Sequence, residues 1–338
     1  MSEVVIVINP GSTTLKLGVF ARSKAIKELE LPAENPAFED ILRALAPSLK
    51  NNRVMAVAAR GGLLRPLAGG VYAVNDLMLA DLAQERYGRH ASNRGAPLAA
   101  TIARHFKVPA YVVDPVTTDE LELIARISGV PGSERSGRGH ALNIKAVARE
   151  ACRELNLDFA TARFVVAHLG GGITIAALAG GRMIDVNDAL LGMGPFSPRR
   201  AGALPLRKVL DLAYSRPRAQ VEQLLTRESG LTGYLGTDDL VAIERRIGAG
   251  DETARQVVAA MIYQIAKEIG SLATVLNLEL EAILLTGGMA RSQYLVRELR
   301  RRIARLGLVL VYPGQMEMLA LARGGWRVID GQEQVLLY

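Results

Sequence analysis

The sequence predicts an α/β protein built from two duplicated halves with a central cleft between them. Three observations predict it. Residues Val4 to Phe20, VVIVINPGSTTLKLGVF, read as an apolar strand, a turn rich in Gly, Ser and Thr, and a second strand with alternating Leu15, Leu17 and Val19. Residues Phe164 to Leu178, FVVAHLGGGITIAAL, repeat that plan with Gly170, Gly171 and Gly172 in the turn, as expected of an internal duplication that opens each half with a hairpin. A third apolar strand, Ala282 to Thr286, ends at Gly287 and Gly288 and leads into a helical pattern.

Taken in order, each segment supports this frame. The first hairpin is followed by YVVDPVTTDELELIARISGV, a strand ending at Asp114, then a loop and a helix; carboxylates at strand ends suit ligand chemistry in open α/β sheets. After the second hairpin, Val258, Met261, Ile262, Ile265, Ile269 and Leu272 fall on one face, which predicts a long core helix and gives Met261 a packing role. The strand at Ala282 then delivers two glycines, which permit positive φ and close backbone approach, to the start of a helix whose amides point outwards. The stretch RELRRRIARLG, whose basic cluster runs from Arg297 to Arg305, carries Leu299, Ile303 and Leu306 at helical spacing, so it reads as a solvated amphipathic helix. No low-complexity linker separates the halves, which predicts a narrow, hinge-like cleft.

Bulk properties narrow the function classes. A chain of 338 residues exceeds the usual size of a single core, and 49% hydrophobic with 22% charged residues suits a globular fold. The 41 Lys and Arg exceed the 34 Asp and Glu, but the charges are dispersed and no aromatic residues interleave with the basic run, which argues against nucleic acid. One cysteine, Cys152, excludes an internal disulfide, fits a reducing compartment and reads as a buried spectator. MSEVVIVIN lacks a signal-peptide pattern and no apolar run is long enough for a bilayer, so the expectation is a cytoplasmic protein without a membrane partner.

Turns of Gly, Ser and Thr between strands can cradle phosphate, because exposed amides and short hydroxyl side chains donate without obstruction. Either turn alone is weak, since hairpins routinely contain such residues. Their repetition, with the late TGGM strand end, points to a nucleotide bound by two domains.

The motifs VINPGSTTLK, ARGGLLRPLAGGVYAVN, RHASNRGAPLA, YVVDPVTTDELELIARISGVP, GHALNIKAVAR, VAHLGGGI, IDVNDALLGMGPFSP, LTGGMA and VYPGQMEMLALA occur in this order nearly end to end. Together they make the chain resemble the acetate and butyrate kinase family of the actin-like superfamily, nearest to its butyrate kinases. The resemblance implies two duplicated actin-like (ribonuclease H-like) domains, 1–147 with 313–338 packing back onto it, and 148–312 as the nucleotide-binding domain. It implies reversible transfer of the γ-phosphoryl of ATP to butyrate or a related carboxylate, giving an acyl phosphate and ADP with Mg²⁺, in a homodimer or higher homo-oligomer. The alternatives are an acetate, propionate or branched-chain acid kinase of the same family, or an actin-like assembly protein that uses ATP as a switch.

Residue by residue, the resemblance makes His140 and Arg200 the donors to the transferring phosphoryl group. Asp114 is placed with metal and carboxylate, Asn9 with metal or phosphate, and Ser12, Thr13 and Lys16 in the first phosphate turn, where Lys16 either joins the anionic site or is solvated. Gly170, Gly171 and Gly172 fall at the phosphates, Gly287 and Gly288 near the adenosine, and His168 and His90 on ligand-facing motifs; His105, outside them, keeps a packing or surface role. Arg60 is offset from the family's carboxylate-binding arginine, expected at Val57, and either substitutes for it or supports the turn. Arg291 stands where acetate kinases carry a metal-orienting glutamate, which shifts metal coordination to Asn9, Asp114, Glu317 and water. Gly139 replaces a bulky aromatic residue before the histidine and predicts a roomier acyl pocket, unless neighbouring side chains fill the gap.

Overall fold

Strand alternation decides where every important side chain of the first sheet points. The computed structural model describes residues 1–11, 13–22, 24–32 and 37–338, which fall into two compact units. The first comprises Met1–Asp119, Ala141–Ala146 and Met316–Tyr338, the second Glu120–His140 and Val147–Gln315.

In the first unit, β1 (Ser2–Pro10), β2 (Thr14–Ala21) and β3 (Lys24–Pro32) form an antiparallel meander, and β4 (Asn52–Arg60), β5 (Val71–Ala73) and β6 (Ala110–Val113) extend the sheet on the far side of β1. The strand order is β3-β2-β1-β4-β6-β5, with β1, β4 and β6 mutually parallel. Val4, Ile6 and Ile8 pack on one face against Ile41, Leu45, Ala99 and Ile102 of two helices. Val5, Val7, Ala56 and Ala58 pack on the other, against Met318, Leu321 and Trp326 of the helix Glu317–Ile329. Successive side chains of a strand point to opposite faces, so Asn9 and Arg60 continue the row that meets this last helix.

The second unit repeats the arrangement. Here β7 (Arg163–Leu169), β8 (Ile173–Ala179) and β9 (Arg182–Val186) form the meander, and β10 (Ala282–Gly287) and β11 (Val309–Pro313) run parallel to β7 in the order β11-β10-β7-β8-β9. From the outer meander strand inwards, 9-8-7-10-11 reproduces 3-2-1-4-6, so the duplication read in the two hairpins extends through both sheets. The long helix Glu252–Val275 buries Val258, Met261, Ile262, Ile265, Ile269 and Leu272 against Val165, Ala167, Leu169 and Ile175. That leaves His168 and Thr174 on the opposite face of the sheet.

Two expectations change in detail. The helix expected after Asp114 is a single turn, Leu123–Arg126, with no buried residue to hold a longer one. The basic run enters the helix Gln293–Ile303, which buries Leu299 and Ile303 as expected and leaves Arg305 and Leu306 beyond its end. Cys152 is buried, and burial raises its thiol pKa. Among the described residues no helix is long and apolar enough to cross a membrane.

Candidate active site

The first unit gathers its polar residues at the ends of its parallel strands. The register that pairs Ile8 with Ala59 brings Asn9 and Arg60 out at the same edge, on the face covered by helix Glu317–Ile329. Asn9 Nδ2 donates to Glu317 Oε2 at 2.8 Å, and Arg60 Nη1 donates to the same oxygen at 3.2 Å. Asn9 is 5% exposed and its Oδ1 is buried without a hydrogen-bond partner among the described residues. Val57 is buried on the other face with Ile41 and Ile102, so Arg60 is the arginine that β4 presents here.

Asp114 lies one residue beyond the Arg60–Val113 pairing, in the left-handed region at φ 40°. Its backbone N–H donates to Gly70 O and its Oδ1 accepts from Gly70 N, both at 2.9 Å, so its carboxylate braces the Gly69–Gly70 turn. Lys16, opposite Asn9 in the register, turns its ammonium to Glu30 at 3.3 Å with nearly half of its side chain exposed. Thr13 is exposed on the first turn, which the Gly11 N to Thr14 O bond closes; Ser12 lies outside the described residues. His90 is exposed and accepts from Ser92 N on Nδ1 at 3.2 Å, capping the short turn Ala91–Arg94.

In the second unit the hairpin register builds a platform for the histidine. His168 is paired with Thr174 across β7 and β8, and both are fully buried. His140 stacks on His168 with ring centroids 3.9 Å apart and planes 8° from parallel, while its Nδ1 shares a 2.8 Å hydrogen bond with Thr174 Oγ1. One ring face and one ring nitrogen of His140 are therefore held by two neighbours on adjacent strands. Gly139 is required by this closeness: a Cβ there would stand 2.6 Å from Thr174 Cγ2. The space expected from the missing side chain at 139 is occupied by Thr174.

Arg200 approaches the Gly170–Gly172 turn directly. A Cβ on Gly172 would meet Arg200 Nη1 at 2.1 Å, so the guanidinium lies against bare backbone. The same nitrogen donates to Ala189 O at 2.5 Å. Burial lowers the Arg200 pKa, with Asp188 opposing the shift, and a guanidinium stays charged through any such change. Gly287 closes the set at φ 93°, exchanging two 2.9 Å backbone bonds with Gly314, whose Cα packs by the Arg291 guanidinium; Gly288 is exposed.

A cavity of about 710 Å³ in the second unit is lined by Arg135, Asp185, Asp188, Lys267 and Glu268 but by neither His140 nor Arg200. Burial, reinforced by Asp185, raises the Glu268 pKa. Asn187 and Asp188 form a wall shared by this cavity and the niche of Arg200. Arg200 meets the bare Gly172 backbone in its own niche, apart from the acidic and basic side chains that line the larger cavity.

Several residues escaped the sequence reading. Thr174 was legible from the hairpin, since it and His168 are equidistant from Gly171. Asn93, which accepts from Leu63 N at 2.8 Å and donates to Gly88 O at 2.9 Å, and Asn187, which accepts from Ile175 N at 2.6 Å and donates to Ile173 O at 3.1 Å, fasten loops through side-chain bonds that leave no periodic signal.

The acetokinase family model matches residues 135–332. A protein of Enterococcus faecalis named probable butyrate kinase is 45% identical over 99% of this chain and 98% of its own. The crystal structure of Porphyromonas gingivalis acetate kinase superposes with a TM-score of 0.79 at 19% identity, covering 97% of this chain and 100% of that one. A propionate kinase from Francisella tularensis gives 0.76 at 19% identity, covering 96% and 99%. At that identity the solved structures speak for the fold, which is the duplicated actin-like one. With more than half of its length matched by the family model and a close relative aligned nearly end to end, the protein belongs to the acetokinase family and is a kinase that works with ATP and ADP.

Proposed function

We propose that the protein reversibly transfers the γ-phosphoryl group of ATP to butyrate or a related short-chain carboxylate, giving an acyl phosphate and ADP. The observation that carries this reading is the half-buried Arg200 guanidinium lying on the bare Gly172 backbone. Identity of 45% to the probable butyrate kinase of Enterococcus faecalis supports the choice of acid.

A carboxylate oxygen forms the new bond to the γ-phosphorus while the bond to the bridging oxygen breaks, and that electron pair leaves on ADP. The acceptor is already ionised, so no proton has to be removed and no general base is needed. What the transition state requires is alignment and donors for its equatorial oxygens. Arg200 has one N–H fixed on Ala189 O, which leaves its remaining donors for phosphoryl oxygens. His140, fixed by Thr174 and His168, is the second donor. The Gly170–Gly172 turn takes the nucleotide phosphates and Gly287 with Gly288 the adenosine side. Thr13 serves the first phosphate turn, and Arg60 draws the substrate carboxylate. Asp114 and His90 act by holding the Gly70 and Ser92 turns.

The donor set also suits Mg²⁺. Among the described residues no three His, Cys, Asp or Glu side chains cluster, but Mg²⁺ keeps several waters and takes only one or two carboxylates from a protein. The buried Asn9 Oδ1, without a hydrogen-bond partner among the described residues, and the Glu317 carboxylate would supply hard oxygen ligands. When bound, the ion would neutralise phosphate charge.

Hydroxylamine trapping across acetate, propionate, butyrate, isobutyrate and valerate tests the activity. Hydroxamate should accumulate in step with ADP and fastest with the four-carbon acids. No hydroxamate with any acid overturns the reading, and ATP-dependent sedimentation in its place would identify an assembly protein.

Gly139→Phe now carries a different expectation from the one its sequence context suggested. Since Thr174 fills that space, the ring must displace Thr174 and unseat His140, with overpacking of about 1–3 kcal/mol. The expected result is a lower kcat for every acid with the ranking unchanged. A shift of preference towards acetate at undiminished kcat would show instead that residue 139 walls the acyl pocket.

A further inference from the structure

Ser197 is 1% exposed and lines the Arg200 niche. Its hydroxyl donates to Gly171 O at 2.8 Å and accepts the backbone N–H of Arg200 at 3.2 Å. A buried hydroxyl has to spend its hydrogen-bonding capacity on the protein. Here both bonds fall on the elements that meet the phosphates: the glycine turn and the arginine segment.

The backbone around Ser197 is secured without that hydroxyl. Ser197 N donates to Arg200 O at 3.0 Å, Leu231 N to Ser197 O at 3.3 Å, Thr232 N to Pro198 O at 2.9 Å and Ser229 N to Arg199 O at 3.2 Å. These bonds clip residues 197–200 onto the start of helix Gly230–Leu235. Removing Oγ leaves all of them in place, so the loop keeps its shape. What is lost is the tie to the middle of the Gly170–Gly172 turn.

We propose that Ser197 is a positioning residue for phosphoryl transfer, coupling the Gly170–Gly172 turn to Arg200 so that phosphate at the turn fixes the guanidinium. The inference rests on the kinase reading above and extends it to a residue that touches no reacting atom. A turn that moves on binding phosphate pulls Ser197 Oγ through its carbonyl. The hydroxyl in turn holds the Arg200 amide, from which the side chain springs to cover Gly172. Without the tie, nucleotide still binds at the turn, but the guanidinium is no longer registered to it.

The test compares wild type, Ser197→Ala, Ser197→Thr, Arg200→Ala and the Ser197→Ala/Arg200→Ala double variant, each checked for a cooperative thermal transition. Ser197→Ala should lower kcat at least about 10-fold, equivalent to about 1.4 kcal/mol, while the KM for ATP changes less than about threefold. Ser197→Thr, which keeps the hydroxyl, should recover most of that loss. In the Arg200→Ala background the same Ala change should cost less than about twofold, because residues acting as one unit are not additive. Full additivity, or near-normal kcat in folded Ser197→Ala, overturns the inference.

Amide hydrogen exchange supplies a readout apart from turnover. ATP should protect both 170–172 and 197–200 in wild type, but only 170–172 in Ser197→Ala. Equal protection of 197–200 in the two proteins would also overturn the coupling. Failure of wild type to form any acyl phosphate would defeat the kinase reading separately, with the exchange result still deciding whether Ser197 joins the two segments. Should Ser197→Ala not fold, Ser197→Cys, close in volume and a weak donor, takes its place with the same expected loss.

Discussion

Replacing Arg200 by alanine should lower kcat about 100- to 1,000-fold, the loss of about 2.7–4 kcal/mol seen when a preorganised donor is removed from a transition state. The guanidinium lies against Gly172 and is steered by Ala189 O, so it is held on the turn by the protein's own contacts. Burial makes its charge more effective there than at a solvated surface. Its donors gain most as charge spreads over the equatorial oxygens, so ATP affinity should weaken far less than turnover. Acyl-phosphate formation at saturating substrates and nucleotide titration of the same variant separate the two quantities. Truncation also strips Ala189 O of its donor, so a thermal melt must accompany the kinetics. A folded Arg200→Ala protein with near-normal kcat would remove Arg200 from the catalytic set.

His140→Ala is the second large effect, with kcat expected to fall roughly 100-fold, the lower end for loss of one donor. The smaller figure follows from its setting. His140 is only half-buried, and Thr174 Oγ1 already occupies one ring nitrogen. Its preorganisation comes from the 3.9 Å stack on His168 and the hydroxyl tether, neither of which has to form during the reaction. Single-turnover rates with ATP and butyrate, set beside nucleotide affinity, check the assignment. A defect confined to affinity would make His140 a binding group, and an unchanged single-turnover rate would remove it from the chemistry.

Sequence alone determined the two opening hairpins, the long helix and the strand that ends at Gly287. The apolar runs VVIVIN and FVVAHL, each followed by a glycine-bearing turn and a second alternating run, specify two hairpins in which residues two apart share a face. That period assigns Asn9 to the row of Val5 and Val7, and His168 to the face opposite Ala167 and Leu169, while packing decides which face meets a helix. These are local periodicities, which a chain carries whatever it later packs against. Tertiary structure decided which polar groups meet. Asn9 reaches Glu317 across 308 positions because helix Glu317–Ile329 covers that row of the sheet. His140 joins Thr174 because a hairpin register sets Thr174 beside His168, and Arg200 reaches Gly172 because the loop after β9 returns over the turn. Gly139 marks the boundary between the two kinds of knowledge. Its missing side chain is plain in the sequence, but whether that leaves a void or a contact depends on Thr174, 35 positions later, whose placement is a property of packing rather than of local pattern.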